Sequence, residues 1–254
     1  MAGVVRLAAD ELLSFEPARR AVRPPQRRVL CIHDATLCGL SAVAAGPAAV
    51  DRTPSMMSPP DGSAVPLTAS RLLREATAQQ HLAVEQLPAM CALMRDSLSV
   101  HDYVQVLCRH HAALAGWEQR ESAWLHASGD AAWRYQLRSP LLEQDLAALQ
   151  ATPPLPAPAP LAPDAGSRWG MLYVVEGSRL GGRLIARQLR QSLPDAAPAL
   201  SYFELGHADP ACWRRFQRRL EQALPTPQSR QAAVDGARAM FAHFHTHFAL
   251  ETVA

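Results

Sequence analysis

The stretch REATAQQHLAVEQ, residues 74–86, sets His81 among small and polar neighbours instead of leucines. Read as one helix, steps of three, four and seven residues put Arg74, Thr77, Ala78, Val84 and Glu85 around it. Small flanking residues leave room for a flat group to approach the imidazole. Glu85, one turn on, could accept a hydrogen bond from one ring nitrogen and leave the other as a neutral metal donor. Arg74 lies roughly 10 Å back along the axis, suited to gripping the anionic edge of a large ligand. The competing reading is an ordinary exposed His81–Glu85 pair, worth only a few tenths of a kcal/mol.

A second feature is LYVVEGSRLGGRLIARQL, residues 172–189. Its apolar spacing predicts a helix, yet Gly177, Gly181 and Gly182 fall inside it, each costing about 1 kcal/mol relative to alanine. Gly177 and Gly181 stand one turn apart and Gly182 follows, which predicts a flank without side chains. Such a backbone admits either a planar ligand or a closely packed helix. No GxGxxG follows a strand and no GxxxxGK[ST] occurs, so phosphate loops are poor explanations. A His-bearing helix with a Gly-bearing helix suggests a sandwich around a flat metal macrocycle.

Other residues invite metal readings and fail them. His243 and His247 in HFHTHF are one turn apart, but no HExxH or ExxH accompanies them, so zinc hydrolase and di-iron chemistry lack their carboxylates. They are read as surface or partly buried, as are His110 and His111. Cys31, His33 and Cys38 lack a fourth donor and a compact spacing. Five cysteines without CxxC argue against a disulfide framework and a zinc knuckle, and fit a reducing compartment.

The elements that must position these residues are helical. Residues 1–66, with PPQRR and SPPDGSAVP, have little to bury and are expected to be a low-order extension, with Met56 or Met57 an alternative start. From Leu67 onward the spacing predicts helices over LTASRLLREATAQQHLAVEQL (capped by Thr68), SVHDYVQVLCRHHAALAGWEQRESAWLHAS and SPLLEQDLAALQ. Residues 151–166, ATPPLPAPAPLAPDAG, predict an extended surface crossover. Three more helices follow: SRWGMLYVVEGSRLGGRLIARQL, DPACWRRFQRRLEQAL and PQSRQAAVDGARAMFAHFHTHFALE. The fold class is all-α, with residues 67–254 forming one domain.

Composition agrees. The chain has 254 residues, 48% hydrophobic, enough for a core. All 25 basic residues are arginine and the net charge is only +2, so neither a nucleic-acid nor a membrane surface is implied. No run of 18 apolar residues occurs and the N-terminus lacks a signal pattern, which points to a cytoplasmic protein.

LLREATAQQHLAVE and GMLYVVEGSRLGGRLI, in this order and at this separation, resemble the haem oxygenase family, particularly its bacterial branch that includes enzymes paired with bacteriophytochromes. The likeness runs from Leu67 to Phe248. It implies a helical bundle in which haem lies between a proximal helix and a kinked, glycine-rich distal helix. His81 takes the iron-ligating role, with Arg74, Thr77 and Glu85 on family positions around it. Gly177, Gly181 and Gly182 match the distal glycines. WRRFQRRLEQALPTP is similar to the family's basic helix, making Arg214 and Arg218 candidates for the haem carboxylates, with Arg215 and Arg219 as substitutes. Tyr173 matches the bacterial pattern, and Phe241 stands where an aromatic lines the pocket.

One position departs. Animal members carry a distal aspartate after the first glycine, where it organises water for proton delivery; here it is Ser178, which can pass hydrogen bonds but holds no charge. Glu176 is near in sequence. The implied reaction opens haem, both cofactor and substrate, to biliverdin, CO and ferrous iron with O₂ and external electrons. Without a flavin or nicotinamide fingerprint, a reductase or ferredoxin is the expected donor, and a bacteriophytochrome is an expected recipient of biliverdin. The alternatives are a haem or biliverdin carrier or sensor, a related all-α fold acting on thiamin-like compounds, and a helical interaction domain.

Overall fold

The computed structural model describes residues 67–249, and in them the chain forms nine α-helices and no strand. The expectations for Cys31, His33, Cys38 and the rest of 1–66 lie outside the described residues. The helices are α1 (Ala69–Ala76), α2 (Ala78–Glu85), α3 (Pro88–Ala92), α4 (Val100–Ser128), α5 (Ser139–Ala148), α6 (Ala165–Ser192), α7 (Ser201–Ala208), α8 (Cys212–Ala223) and α9 (Pro227–Ala249). No described helix is long and apolar enough to cross a membrane.

Side chains near the starts of the helices explain where they begin. Thr68 accepts from Arg71 N–H, Ser99 from Asp102 N–H at 3.1 Å and Asp164 from Ser167 N–H at 2.7 Å. Each satisfies a donor that the first helical turn leaves without a partner. The expected single helix over 74–86 is instead two, α1 and α2, parted at Thr77, whose φ of −121° leaves the helical region. The Thr77 hydroxyl donates to Leu73 O at 2.7 Å, a back-bond that bends helices.

The long helices α4, α6 and α9 enclose a core that includes Tyr103, Leu107, Leu114, Trp117, Met171 and Phe248. Helices α6 and α9 meet closest. A Cβ on Gly170 would run into the Ala233 carbonyl, and one on Gly236 into the Ser167 carbonyl, so both positions require the absence of a side chain. The proline-rich connector is extended as expected. It lies along α4, with Ala157 N–H donating to Ala112 O at 3.0 Å and Arg120 to Ala159 O at 2.6 Å.

A buried polar cluster ties the α4–α5 connection to α6. Glu118 accepts from the Tyr135 hydroxyl at 2.6 Å, from Arg138 N–H and from both the N–H and hydroxyl of Ser139. The Arg138 guanidinium pairs with Glu176, and neither is exposed by more than 1%. Helix α7 is not predicted from the sequence. Its first N–H groups, those of Ser201 and Tyr202, are capped by Asp145 of α5 at 2.8 and 2.9 Å, a partner 56 residues away that no local pattern reveals.

Candidate functional site

Helix α2 carries His81 and has no buried residue, with Leu82 exposed. His81 Nδ1 stands 3.5 Å from Glu85 Oε2, which places Nε2 on the far side of the ring. The imidazole edge meets the Phe241 ring of α9 at 5.7 Å and 85°, so a helix 160 residues away fixes its tilt. Glu85 Oε1 is shielded from solvent and has no hydrogen-bond partner among the described residues. Thr77, 2% exposed, commits its hydroxyl to Leu73 and accepts the His81 N–H at 3.0 Å through its carbonyl. It therefore acts on the bend that aims α2, not toward a ligand.

Helix α6 runs unbroken through all three glycines. They face different neighbours. A Cβ on Gly182 would lie 3.1 Å from Phe203 O, so this glycine lets α7 approach. A Cβ on Gly177 would touch only the Trp213 ring, at 3.8 and 4.0 Å, which is ordinary contact. Position 182 is crowded by the α7 backbone, whereas packing does not require glycine at 177. Gly181, half-buried, shares the Gly177 side of the helix.

Tyr173, one turn before Gly177, stacks obliquely on Trp213 with centroids 5.7 Å apart. Burial pushes its phenol up to about 12, opposed by the nearby Arg74 charge, which links exposed Arg74 on α1 to the glycine-bearing side of α6. Trp213 contacts Gly177, Tyr173 and Phe216, a neighbour of the glycine side of α6 that spacing alone missed. Its only signal is its place just before the paired arginines. Ser178 is exposed and donates to Val175 O at 2.8 Å. Glu176 points away, into its ion pairs with Arg138 and Arg179.

The arginines of α8 divide by face. Arg215 pairs with Asp209 and donates to Ala132 O at 2.7 Å; Arg219 donates to Ser128 O at 3.0 Å and lies 5.2 Å over the Trp169 ring. Both hold α8 in place. Arg214 and Arg218 are exposed and make no hydrogen bond or ion pair among the described residues. Among these candidates, they are the cations of α8 left for a ligand.

The four histidines that invited a metal or surface reading are packed into the scaffold. His110 and His111 are buried, not surface or half-buried as expected. Burial pulls His110 down to about 4, so it is neutral, with Nδ1–H donating to Val106 O. His243 donates to Ala113 O at 2.9 Å and meets His247 edge-on at 4.5 Å; both are half-buried. No group of three metal-ligating side chains occurs among the described residues.

The fold and site together define an all-helical protein with a histidine helix and a bare-backed helix both packed on α9. No protein-family model matches the sequence. A heme oxygenase of Xanthomonas campestris pv. campestris (strain 8004) is 50% identical over 162 residues, 64% of this chain and 98% of that protein. The crystallised heme oxygenase of Neisseria meningitidis, with NO and CO bound, superposes with a TM-score of 0.55 over 74% of this chain and 96% of its own, at 22% identity. The chain belongs to the heme oxygenase family.

Proposed function

We propose that the protein cleaves haem oxidatively to biliverdin, CO and ferrous iron, using O₂ and electrons from an external donor. The observation that carries this reading, beside family membership, is Gly177: a mid-helix glycine that packing does not require, on a helix that packs on α9 as the His81 helix does. The residues present fit haem. His81 offers an imidazole nitrogen donor, with a Glu85 carboxylate oxygen 3.5 Å from Nδ1 on the side of the ring away from Nε2. Arg74, Arg214 and Arg218 supply cations for the carboxylate edge, while Phe241 and Tyr173 line the faces. Bound haem supplies the O₂ activation; the chain orients it, limits what approaches through the bare backbone at Gly177 and Gly181, and places the Ser178 hydroxyl on the distal side.

In this reading residues 67–254 are the haem-degrading domain, a reductase or ferredoxin in the same cytoplasm delivers electrons, and a bacteriophytochrome takes up biliverdin. The test uses the full chain with ferric haem, adding reductant in air and recording spectra, beside His81→Ala. Loss of the Soret band with biliverdin absorbance in the red and CO release is the expected result. A Soret band that persists while binding still depends on His81 would replace turnover by carriage.

A further inference from the structure

Resting on the haem-cleaving reading, we propose that Glu176 is a positioning residue: its buried carboxylate, held by Arg138 and Arg179, fixes the turn of α6 that presents Gly177 and Ser178 to haem. Glu176 is 0% exposed. One carboxylate oxygen takes the Arg138 guanidinium; the other accepts from Arg179 and from the Trp133 indole N–H, both at 3.4 Å. Arg138 is itself held to Gln136 O at 2.7 Å, and its backbone N–H and that of Ser139 donate to Glu118 of α4. Arg179 continues to Leu205 O of α7 and to Cys212 Sγ of α8, each at 3.0 Å. The α4–α5 connection, α7 and α8 are thereby all tied to the residue that immediately precedes Gly177.

Stability is a poor explanation for this arrangement. A buried ion pair must offset the desolvation of two charges, and replacing one by apolar side chains of similar volume is commonly neutral or stabilising. What the charged, hydrogen-bonded contact adds is direction: apolar packing tolerates a small rotation of a helix about its axis, whereas guanidinium–carboxylate bonds do not. Helix α6 needs such a contact at this turn. Its glycines loosen the backbone, and close approach of neighbouring backbones locates it at Gly170, against Ala233 O, and at Gly182, against Phe203 O. A Cβ on Gly177, between them, would touch only the Trp213 ring. Glu176 and Arg179 grip the buried side of the turn whose outer side carries half-buried Gly177 and exposed Ser178. The face kept bare for a ligand is thus held from behind.

The test removes the pair without leaving either of its charges alone. Glu176→Leu combined with Arg138→Met does so at similar volume, and Arg179 keeps its bond to Leu205 O. Tm of the double variant should equal or exceed that of the wild type. Backbone amides 177–179 of the full-length apoprotein should nevertheless exchange hydrogen faster, with α4 and α9 unchanged. In the chain loaded with haem, the infrared C–O band of the ferrous CO complex, which reports what lies over the bound gas, should broaden or split, and turnover should fall. Glu176→Gln keeps the shape and an acceptor oxygen but loses the charge; it should show the same changes to a smaller degree, and it reports if the double variant does not fold. Wild-type exchange at 177–179 with a wild-type C–O band, in whichever variant folds, overturns the role of Glu176. So does failure of both variants to fold, or exchange that rises uniformly through all helices, either of which makes the pair scaffold only. In those outcomes the wild type still binds and degrades haem; a wild type that does neither overturns the haem-cleaving reading and this proposal with it.

Discussion

Replacing Gly177 by alanine separates the site from the scaffold, because the two respond with opposite signs. The added methyl would sit 3.8 Å from the Trp213 ring, an ordinary contact that forces no neighbour to move. Mid-helix, alanine exceeds glycine by about 0.5–1 kcal/mol through reduced unfolded-state entropy and better helix propensity. For a domain of this size that corresponds to a rise in Tm of roughly 1–4 °C. The same methyl projects from the face that the proposed function assigns to haem, so affinity and turnover should fall. Thermal unfolding of the apoprotein and haem titration by absorbance measure the two effects. Gly170→Ala is the counterpart: its methyl would strike the Ala233 carbonyl, and Tm should drop sharply. A Gly177→Ala protein that loses stability, or that binds and degrades haem like the wild type, would refute the argument that this glycine serves the ligand.

Two further outcomes follow from the charges. Arg218→Ala should weaken haem binding with little change in Tm, whereas Arg219→Ala should lower Tm by removing its bond to Ser128 O and its contact with Trp169; haem titration and melting of both variants check the division. His110, pulled down from 6.5 to about 4 by burial, makes stability pH-dependent. Its depressed folded value means that the unfolded chain takes up the proton first. The stability it contributes is complete above about pH 6.5 and is lost progressively as pH falls toward 4, on the order of 3 kcal/mol. Tm measured from pH 7 to pH 4 should therefore decline less steeply in His110→Gln than in the wild type.

Helical segments were legible in the sequence wherever the information was local. Apolar spacing marks α4, α6, α8 and α9, Thr68 marks where the first helix starts, and the proline-rich stretch 151–166 marks the crossover. Relations within one or two turns were also legible, including the approach of Glu85 to His81. What a side chain meets across the fold was not legible there. Gly177 and Gly182 look alike in sequence, yet α7 crowds Gly182 and nothing in the packing crowds Gly177. Four arginines in one helix look alike, yet two are tied to the end of α4 and its following loop and two are not. Helix α7 itself escaped the sequence because its cap is supplied by Asp145 of α5. Periodicity and capping are short-range properties of the chain, whereas the availability of a charge, a hydroxyl or a bare backbone is settled by neighbours that only folding brings near.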